Sequence, residues 1–172
     1  MRNPKQKFSK IYNQNIEKIY RFIFLKVNSQ ERAEDLTSKT FLKGWEAFKN
    51  SGNSSQKTID NPRAFLYKIA RNLVIDYYRE KGRTQIISTE YVPQIPDPRT
   101  DLEERAKLNS DLGIVKQSLQ NLKGEYQEVI IWRYVDDLSI SEIAKVLDKP
   151  KGTIRVTLHR ALKALKDEVR GA

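Results

Sequence analysis

Apolar residues recur at helical spacing in three successive runs along the first half of the chain. They cover residues 8–27, 33–48 and 65–77. The third run follows Asn61 and Pro62, a pair in which Asn suits a helix cap and Pro the first helical position. Spacings of three and four residues place such positions on one helical face, so we predict three or four helices in this block, with the third run ending at Gly82.

The second half resumes this pattern after an interruption. Residues 86–100 hold Pro93, Pro96 and Pro98 among polar side chains, and we predict an extended linker because no helix tolerates that spacing. Beyond it, leucines and a valine from position 108 to 122 step by four and three, and a further helical run covers residues 126–134. Since nothing alternates convincingly with a period of two, the sequence predicts an all-α protein.

Residues 139–165 predict two helices joined by a short polar turn. Ser139 precedes Glu142 by three residues, the spacing of a capping box, and Asp148 with Pro150 suits the start of the second helix. The inward-facing positions are expected to be Ile143, Ala144, Leu147, Ile154, Leu158, Ala161, Leu162 and Leu165. This pattern is typical of a helix-turn-helix, whose second helix enters the DNA major groove. An ordinary helical hairpin with a solvated basic face is the alternative.

Charge supports a polyanionic partner. The 172 residues carry a net charge of +10, and seven basic residues but one acid lie between Lys145 and Lys166. Residues 1–85 are strongly basic and residues 86–106 are acidic, so an acidic connector joins two basic blocks. The side chains expected to face DNA from the second helix are Lys149, Lys151, Thr153, Arg155, Thr157, His159 and Arg160.

A second basic surface is expected on the third helix of the first block. Its cations are Arg63, Lys68, Arg71, Arg79, Lys81 and Arg83, interleaved with four aromatic residues. Cations hold phosphates and aromatic faces stack on unpaired bases, which suits single-stranded nucleic acid. The alternative is that the aromatic residues belong to the core, and for Phe65 and Tyr77 we favour it.

Acidic residues open the second predicted helix inside this basic block. Two explanations account equally well for Glu31, Glu34 and Asp35. These acids can interact favourably with the helix dipole, or they can bind a partner protein that has a basic surface. No enzymatic chemistry is expected, because Cys is absent, His159 stands alone, and no Gly-rich phosphate loop occurs. We therefore expect no catalytic residue, metal or cofactor. The absence of an apolar run of 18 residues or a signal core indicates a cytoplasmic protein without membrane insertion.

Two sets of motifs resemble those of extracytoplasmic-function sigma factors of bacterial RNA polymerase. The first set comprises Ala-Glu-Asp-Leu at 33–36, Thr-Phe-Leu-Lys-Gly-Trp at 40–45, Asn-Pro at 61–62 and the run at 67–79. The second comprises Ser-Glu-Ile-Ala at 141–144, Gly-Thr-Ile-Arg at 152–155 and His-Arg-Ala at 159–161. Both sets occur in the order and spacing of the family, and together they cover nearly the whole chain.

The resemblance implies two small helical domains joined by a flexible linker: region two at 1–85, the linker at 86–105 and region four at 106–172. Core RNA polymerase and promoter DNA are the implied partners, and an anti-sigma factor is a plausible further one. Ala33, Glu34, Asp35 and Leu36 would dock on the polymerase. The minus-ten element would meet Asn53, Asn61, Arg63, Lys68, Arg71 and Arg79, and the minus-thirty-five element the seven residues of the helix-turn-helix given above.

The chain also departs from the family pattern. Val156 and Thr157 replace a common Ser-Arg pair, which removes one cation from the reading helix, and Lys149 stands where a small capping residue is usual. A rival interpretation is a helix-turn-helix regulator that binds duplex DNA as a homodimer, but it leaves the motif at 33–45 without a purpose. A sigma-like decoy without DNA binding conflicts with the basic second helix.

Overall fold

The structure of the protein is a computed structural model that describes residues 3–52, 58–87 and 111–171. Every regular element in these residues is a helix, which confirms the all-α prediction. Contacts divide the chain into two units, Met1–Ile87 with Ser141–Asp148, and Ser88–Ile140 with Lys149–Ala172. Within the described ranges, no helix is both long and apolar enough to cross a membrane.

Three long helices that pack against one another build the first unit. They are α1, Pro4–Val27; α2, Gln30–Ser51; and α3, Pro62–Ile87. Their shared core is formed by Ile19, Phe22, Ile23, Val27, Ala33, Leu36, Phe41, Ala64, Leu66, Tyr67, Ala70 and Val74. Each of the three predicted apolar runs therefore becomes one buried helical face.

The turn between α1 and α2 is compact because its two residues form hydrogen bonds with the backbone groups left unpaired at the end of α1 and the start of α2. Asn28 takes the left-handed conformation, with φ 51°, and donates its backbone N–H to Phe24 at 2.8 Å. Ser29 then accepts a hydrogen bond from the backbone of Arg32 at 3.4 Å and caps α2. A two-residue connection reverses the chain and lets α1 and α2 pack side by side.

Helix α2 lies close to α3 at Gly44. A methyl group at this position would lie 2.6 Å from Cδ2 of Leu66, a residue of α3 that is 1% exposed. Because Leu66 has no solvent into which to move, the close packing of α2 on α3 depends on the missing side chain.

Replacing Gly44 with Ala is expected to lower the free energy of unfolding by about 1–3 kcal/mol, since overpacking outweighs the helix propensity of Ala. Gly82→Ala is the matched control, because a methyl group there would meet no described atom within 4 Å. It is expected to raise stability by about 0.5–1 kcal/mol. Urea unfolding of the three proteins measures both effects, and equal stability of Gly44→Ala and wild type would contradict the packing account.

The second unit contains α4, Asp111–Gln120; α5, Gly124–Ile130; and α7, Lys151–Gly171. Helix α7 packs against both α4 and α5. The buried apolar residues are Val129, Ile130, Ile131, Trp132, Leu138, Ile154, Leu158 and Ala161. The long α7 thus gives one face to the unit and leaves the other to solvent.

A π-helical turn, Ile131–Val135, follows α5 directly. The backbone N–H of Asp136 bonds to the carbonyl of Ile131 at 2.9 Å, five residues back. The wider turn changes which side chains face inward: Trp132 is fully buried, whereas Tyr134 is 56% exposed. The predicted helical run over residues 126–134 is therefore observed, with its last four residues, 131–134, in the π-helical turn.

Helix α6, Ile140–Leu147, ends at Asp148, which has a left-handed φ of 52°. Asp148 thus terminates α6, and Pro150 stands immediately before α7. One position that was predicted to face inward, and one that the prediction omitted, differ from the observed burial. Val146 is 2% exposed although the prediction omitted it, and Leu162 is 38% exposed although the prediction placed it inside.

Helix α3 also runs further than predicted. It continues through Gly82 to Ile87, because one glycine weakens a helix by only about 1 kcal/mol and need not end it. Residues 86 and 87 of the predicted linker are therefore helical, and residues 88–105 lie outside the described part of the chain. The boundaries at 85, 86–105 and 106 stay a prediction.

Candidate nucleic-acid interface

The outer face of α7 carries most of the side chains predicted to meet DNA. Lys151, Thr153, Arg155, His159 and Arg160 are all exposed. They lie on the faces of α7 that point away from the buried residues Ile154, Leu158 and Ala161. The amphipathic pattern thus anchors one side of α7 in its unit and presents the other as a continuous cationic surface.

Two of the predicted residues have structural partners. Nζ of Lys149 lies 2.5 Å from Oε1 of Glu125 and so ties the start of α7 to α5. The hydroxyl of Thr157 is half-buried and donates to the carbonyl of Thr153 at 2.9 Å. Neither arrangement prevents DNA contact, but Lys149 and Thr157 have roles within the fold that the other five positions do not show.

Val156 is a residue of this face that the sequence predictions did not include. Its side chain is 49% exposed, although it is apolar and lies among cations. Its place in the sequence, two residues after the buried Ile154, was the available signal, because that offset points away from the core in a helix.

A second cationic surface lies along α3. Arg79 is exposed and has a loose ion pair with Asp76, at 3.9 Å, while Arg71 is half-buried. Asn61 acts as the cap of α3, since its side-chain oxygen accepts the backbone N–H of Ala64 at 3.0 Å. Asn53 lies outside the described residues.

Two further cations of this surface have carboxylate partners within the first unit. Nζ of Lys68 is 2.6 Å from Oδ2 of Asp148, and Nε of Arg63 is 3.8 Å from Oε2 of Glu142. The Lys68 pair is largely solvated, so it contributes at most about 1 kcal/mol. A DNA phosphate bound to Lys68 would replace Asp148 as the anionic partner of this lysine.

The aromatic residues of α3 divide between core and surface. Tyr67 is fully buried against Phe22, whereas Tyr78 is 44% exposed. The Tyr78 hydroxyl donates to the backbone of Lys26, and burial raises its pKa above 10.0. Tyr77 is half-buried and lies between Arg32 and Lys81, at 6.0 and 5.9 Å from its ring. The interpretation that these aromatic residues belong to the core thus agrees with the full burial of Tyr67, and in part with Tyr77, which is half-buried.

The acidic motif of α2 separates into buried and exposed residues. Ala33 and Leu36 belong to the core, whereas Glu34 and Asp35 are exposed. Glu34 and Asp35 are thus the residues of this motif that a partner can contact. Ala33 and Leu36 anchor α2 in the core and so fix the positions of the two acids.

The helix dipole does not account for these two acids. The dipole acts within the first turn of a helix, and Glu31 is the acid in that turn. Asp35 instead pairs with Lys39 at 3.0 Å, with both side chains about half exposed. Burial, together with the neighbouring carboxylate of Glu34, raises the pKa of Tyr20.

Each of the two helical units thus presents a cationic helical face, an arrangement that suits nucleic acid. The family model described as Sigma-70 region 2 matches residues 11–84, and that described as Sigma-70, region 4 matches residues 112–165. Since both regions occur in one chain in this order, the chain belongs to the extracytoplasmic-function sigma factors of RNA polymerase.

Relatives with curated names cover most of the chain. RNA polymerase sigma factor YlaC of Bacillus subtilis is 30% identical over 161 residues, 91% of this chain and 88% of that protein. ECF RNA polymerase sigma factor SigW of the same organism is 28% identical and covers 90% and 84%. ECF RNA polymerase sigma factor BldN of Streptomyces coelicolor is 30% identical, and the match covers 92% of this chain but 58% of BldN.

Solved structures share the fold. The sigma factor RpoE in complex with the anti-sigma factor NepR from Bartonella quintana matches with a TM-score of 0.69 and 23% identity, over 96% of this chain and 98% of that one. CnrH in complex with the cytosolic domain of CnrY matches with a TM-score of 0.69 and 19% identity, over 97% and 90%. These structures confirm the predicted fold class, and the family models and curated relatives confirm the predicted family.

Proposed function

We propose that the protein binds core RNA polymerase and directs it to a subset of promoters for the initiation of transcription. The observation that carries this proposal is the presence of both sigma regions in one chain, each with an outward cationic helix. One region alone would suit many DNA-binding proteins. Two different regions, in the order of the family, suit a protein that reads two promoter elements.

The outer face of α7 reads the upstream, minus-thirty-five element in this proposal. Exposed Arg155, His159 and Arg160 lie near base edges, and exposed Lys151 and Thr153 near the phosphates at the helix start. Lys149 and Thr157 contribute from the edge of the face. The net charge of +10 supports the phosphate contacts that such docking requires.

The surface of α3 reads the minus-ten element and holds its separated strand. Arg63, Lys68, Arg71 and Arg79 supply cations along the helix, and Tyr78 is the aromatic side chain with the most exposure there. Asn61 supports this surface as the helix cap, and Asn53, which lies outside the described residues, precedes α3 in the sequence. Strand separation is driven by binding energy and not by nucleotide hydrolysis.

Docking on the polymerase uses the exposed acids Glu34 and Asp35, with Ala33 and Leu36 as the buried residues that fix their helix. In this proposal the domains keep the predicted limits, 1–85 and 106–172, with 86–105 as the connector, although α3 continues two residues into the connector, to Ile87. A protein with this role is a regulator without a catalytic site or cofactor. It acts in the cytoplasm, where polymerase and chromosome are, and an anti-sigma protein is a fitting regulatory partner.

Run-off transcription tests the proposal. Purified protein is added to core RNA polymerase on a pool of promoter fragments, and the 5′ ends of the transcripts are mapped. We expect specific start sites that require both the protein and the core enzyme. Tight, palindromic DNA binding by the protein alone, with no new start sites, would instead identify a homodimeric helix-turn-helix regulator.

A further inference from the structure

An exposed apolar side chain stands at the centre of the cationic face of α7. Val156 is 49% exposed, and its neighbours Arg155, His159 and Arg160 are all exposed as well. Single apolar residues are common on protein surfaces and by themselves indicate nothing. The position of Val156, on the second helix of a helix-turn-helix and surrounded by cations, distinguishes it from such residues.

Helix geometry directs Val156 almost straight away from the core. Each residue of an α-helix advances by about 100°, so Val156 lies about 200° from Ile154, which is fully buried. Gly152 and Arg160 lie one turn before and one turn after Val156 on the same side. A duplex that meets this face of α7 therefore meets Val156 near the middle of the contact.

Gly152 adds a second observation. A methyl group built on Gly152 would meet none of the described atoms within 4 Å, so the packing of the unit does not require a glycine there. Gly152 is the second residue of α7 and is exposed. The absent side chain leaves open space one turn before Val156, which allows a groove edge to come close to the helix.

Major-groove chemistry identifies the group that suits a buried isopropyl side chain. Adenine, guanine and cytosine present polar atoms in this groove, whereas thymine presents a C5-methyl group. A contact between Val156 and a polar base edge would leave hydrogen-bonding atoms without partners. A thymine methyl can be covered by an apolar side chain at no such cost.

We propose that Val156 is a specificity-determining residue that contacts the C5-methyl group of one thymine in the upstream promoter element, with Gly152 providing the clearance. This inference rests on the proposed function and extends it to one base. Val156 stands where the family pattern usually has Ser. Its replacement of Ser thereby changes the DNA sequence that the protein prefers and does not merely remove a polar contact.

Single replacement of each thymine in the upstream element by deoxyuridine tests the inference, because it removes the methyl group and nothing else. The template is a promoter on which the complete protein and core polymerase initiate. With wild type, we expect one such replacement to lower initiation about fourfold, the effect of withdrawing one methyl group from contact. With Val156→Ala, the same replacement should have no effect, which is the non-additivity of two groups in contact.

Val169→Ala is the matched control, since Val169 is also exposed on α7 but lies 13 residues further along. It should keep the full sensitivity to deoxyuridine, and thermal unfolding should show that both variants are folded. Three results would overturn the inference. Deoxyuridine could lower initiation equally with wild type and Val156→Ala, it could have no effect at any thymine, or the upstream element could consist of G·C pairs alone. Failure of the proposed function would look different, since no transcription would start from the unmodified promoter.

Discussion

Reversal of the charge at Asp35 is expected to weaken the binding of core RNA polymerase by a factor of about 10 to 100, because attraction to a basic docking surface becomes repulsion. Asp35 is exposed and lies outside the first turn of α2, so neither the core nor the helix dipole depends on it. Asp35→Arg should therefore leave the three-helix unit folded. A titration of labelled protein with core polymerase measures the affinity, and circular dichroism checks the fold.

Lys39→Ala is the matched control for this experiment. It removes the same 3.0 Å ion pair as Asp35→Arg but leaves the carboxylate in place. The pair is solvated and spaced i, i+4, so its loss should cost only about 0.3–0.5 kcal/mol of stability. Lys39→Ala is expected to bind the polymerase as wild type does. Equal affinity of Asp35→Arg and wild type would remove the docking role from this surface.

Truncation of Arg155 is the second change with a large expected effect. Arg155 is exposed in the second turn of α7, on the cationic face, where a base or phosphate contact is available. Loss of one good base contact costs about 1–3 kcal/mol, so Arg155→Ala should lower transcription from a promoter with an intact upstream element by about 5- to 150-fold. On a template with a scrambled upstream element, the variant and wild type should be equally weak.

Lys166→Ala serves as the control for Arg155→Ala, because it removes an exposed cation from the same helix 11 residues further along. It should change transcription little, and its remaining effect should diminish as salt is raised. Run-off assays on paired intact and scrambled templates give both comparisons. If Arg155→Ala and wild type responded identically to scrambling, Arg155 would not read the upstream element.

The strongly periodic parts of the fold could be predicted from the sequence. Helices α1 to α3 follow directly from apolar spacing, and Asn61 before Pro62 marks the start of α3 correctly. The buried residues Ile154, Leu158 and Ala161 of α7 were also predicted. In each case one physical effect, burial of a single helical face, dominates the choice of residues.

The remaining features depend on effects that apolar spacing does not record. A π-helical turn at Ile131–Val135 was not predicted, because apolar spacing does not distinguish it from an α-helical turn. Gly82 lies inside α3 because packing elsewhere along the helix offsets its cost. Asp148 resembles a cap for α7, but its left-handed backbone ends α6.

The candidate site shows the same division. Motif resemblance grouped Ala33 and Leu36 with Glu34 and Asp35, but burial separates them into two core and two surface residues. Side chains expected to contact DNA were sought among polar residues, and Val156 was therefore left out. Its offset of two residues from Ile154 indicates an outward position, and the structure shows that its side chain is 49% exposed there.

Selection from a promoter library with two randomised blocks tests most directly that the two units read separate elements while bound to polymerase. Templates that initiate with the complete protein and core polymerase are sequenced, and the same pool is selected for binding to the protein without core. We expect enrichment in both blocks, at a fixed distance from the start site, only when core polymerase is present. Enrichment of a single block, or the same enrichment without polymerase, would contradict the account.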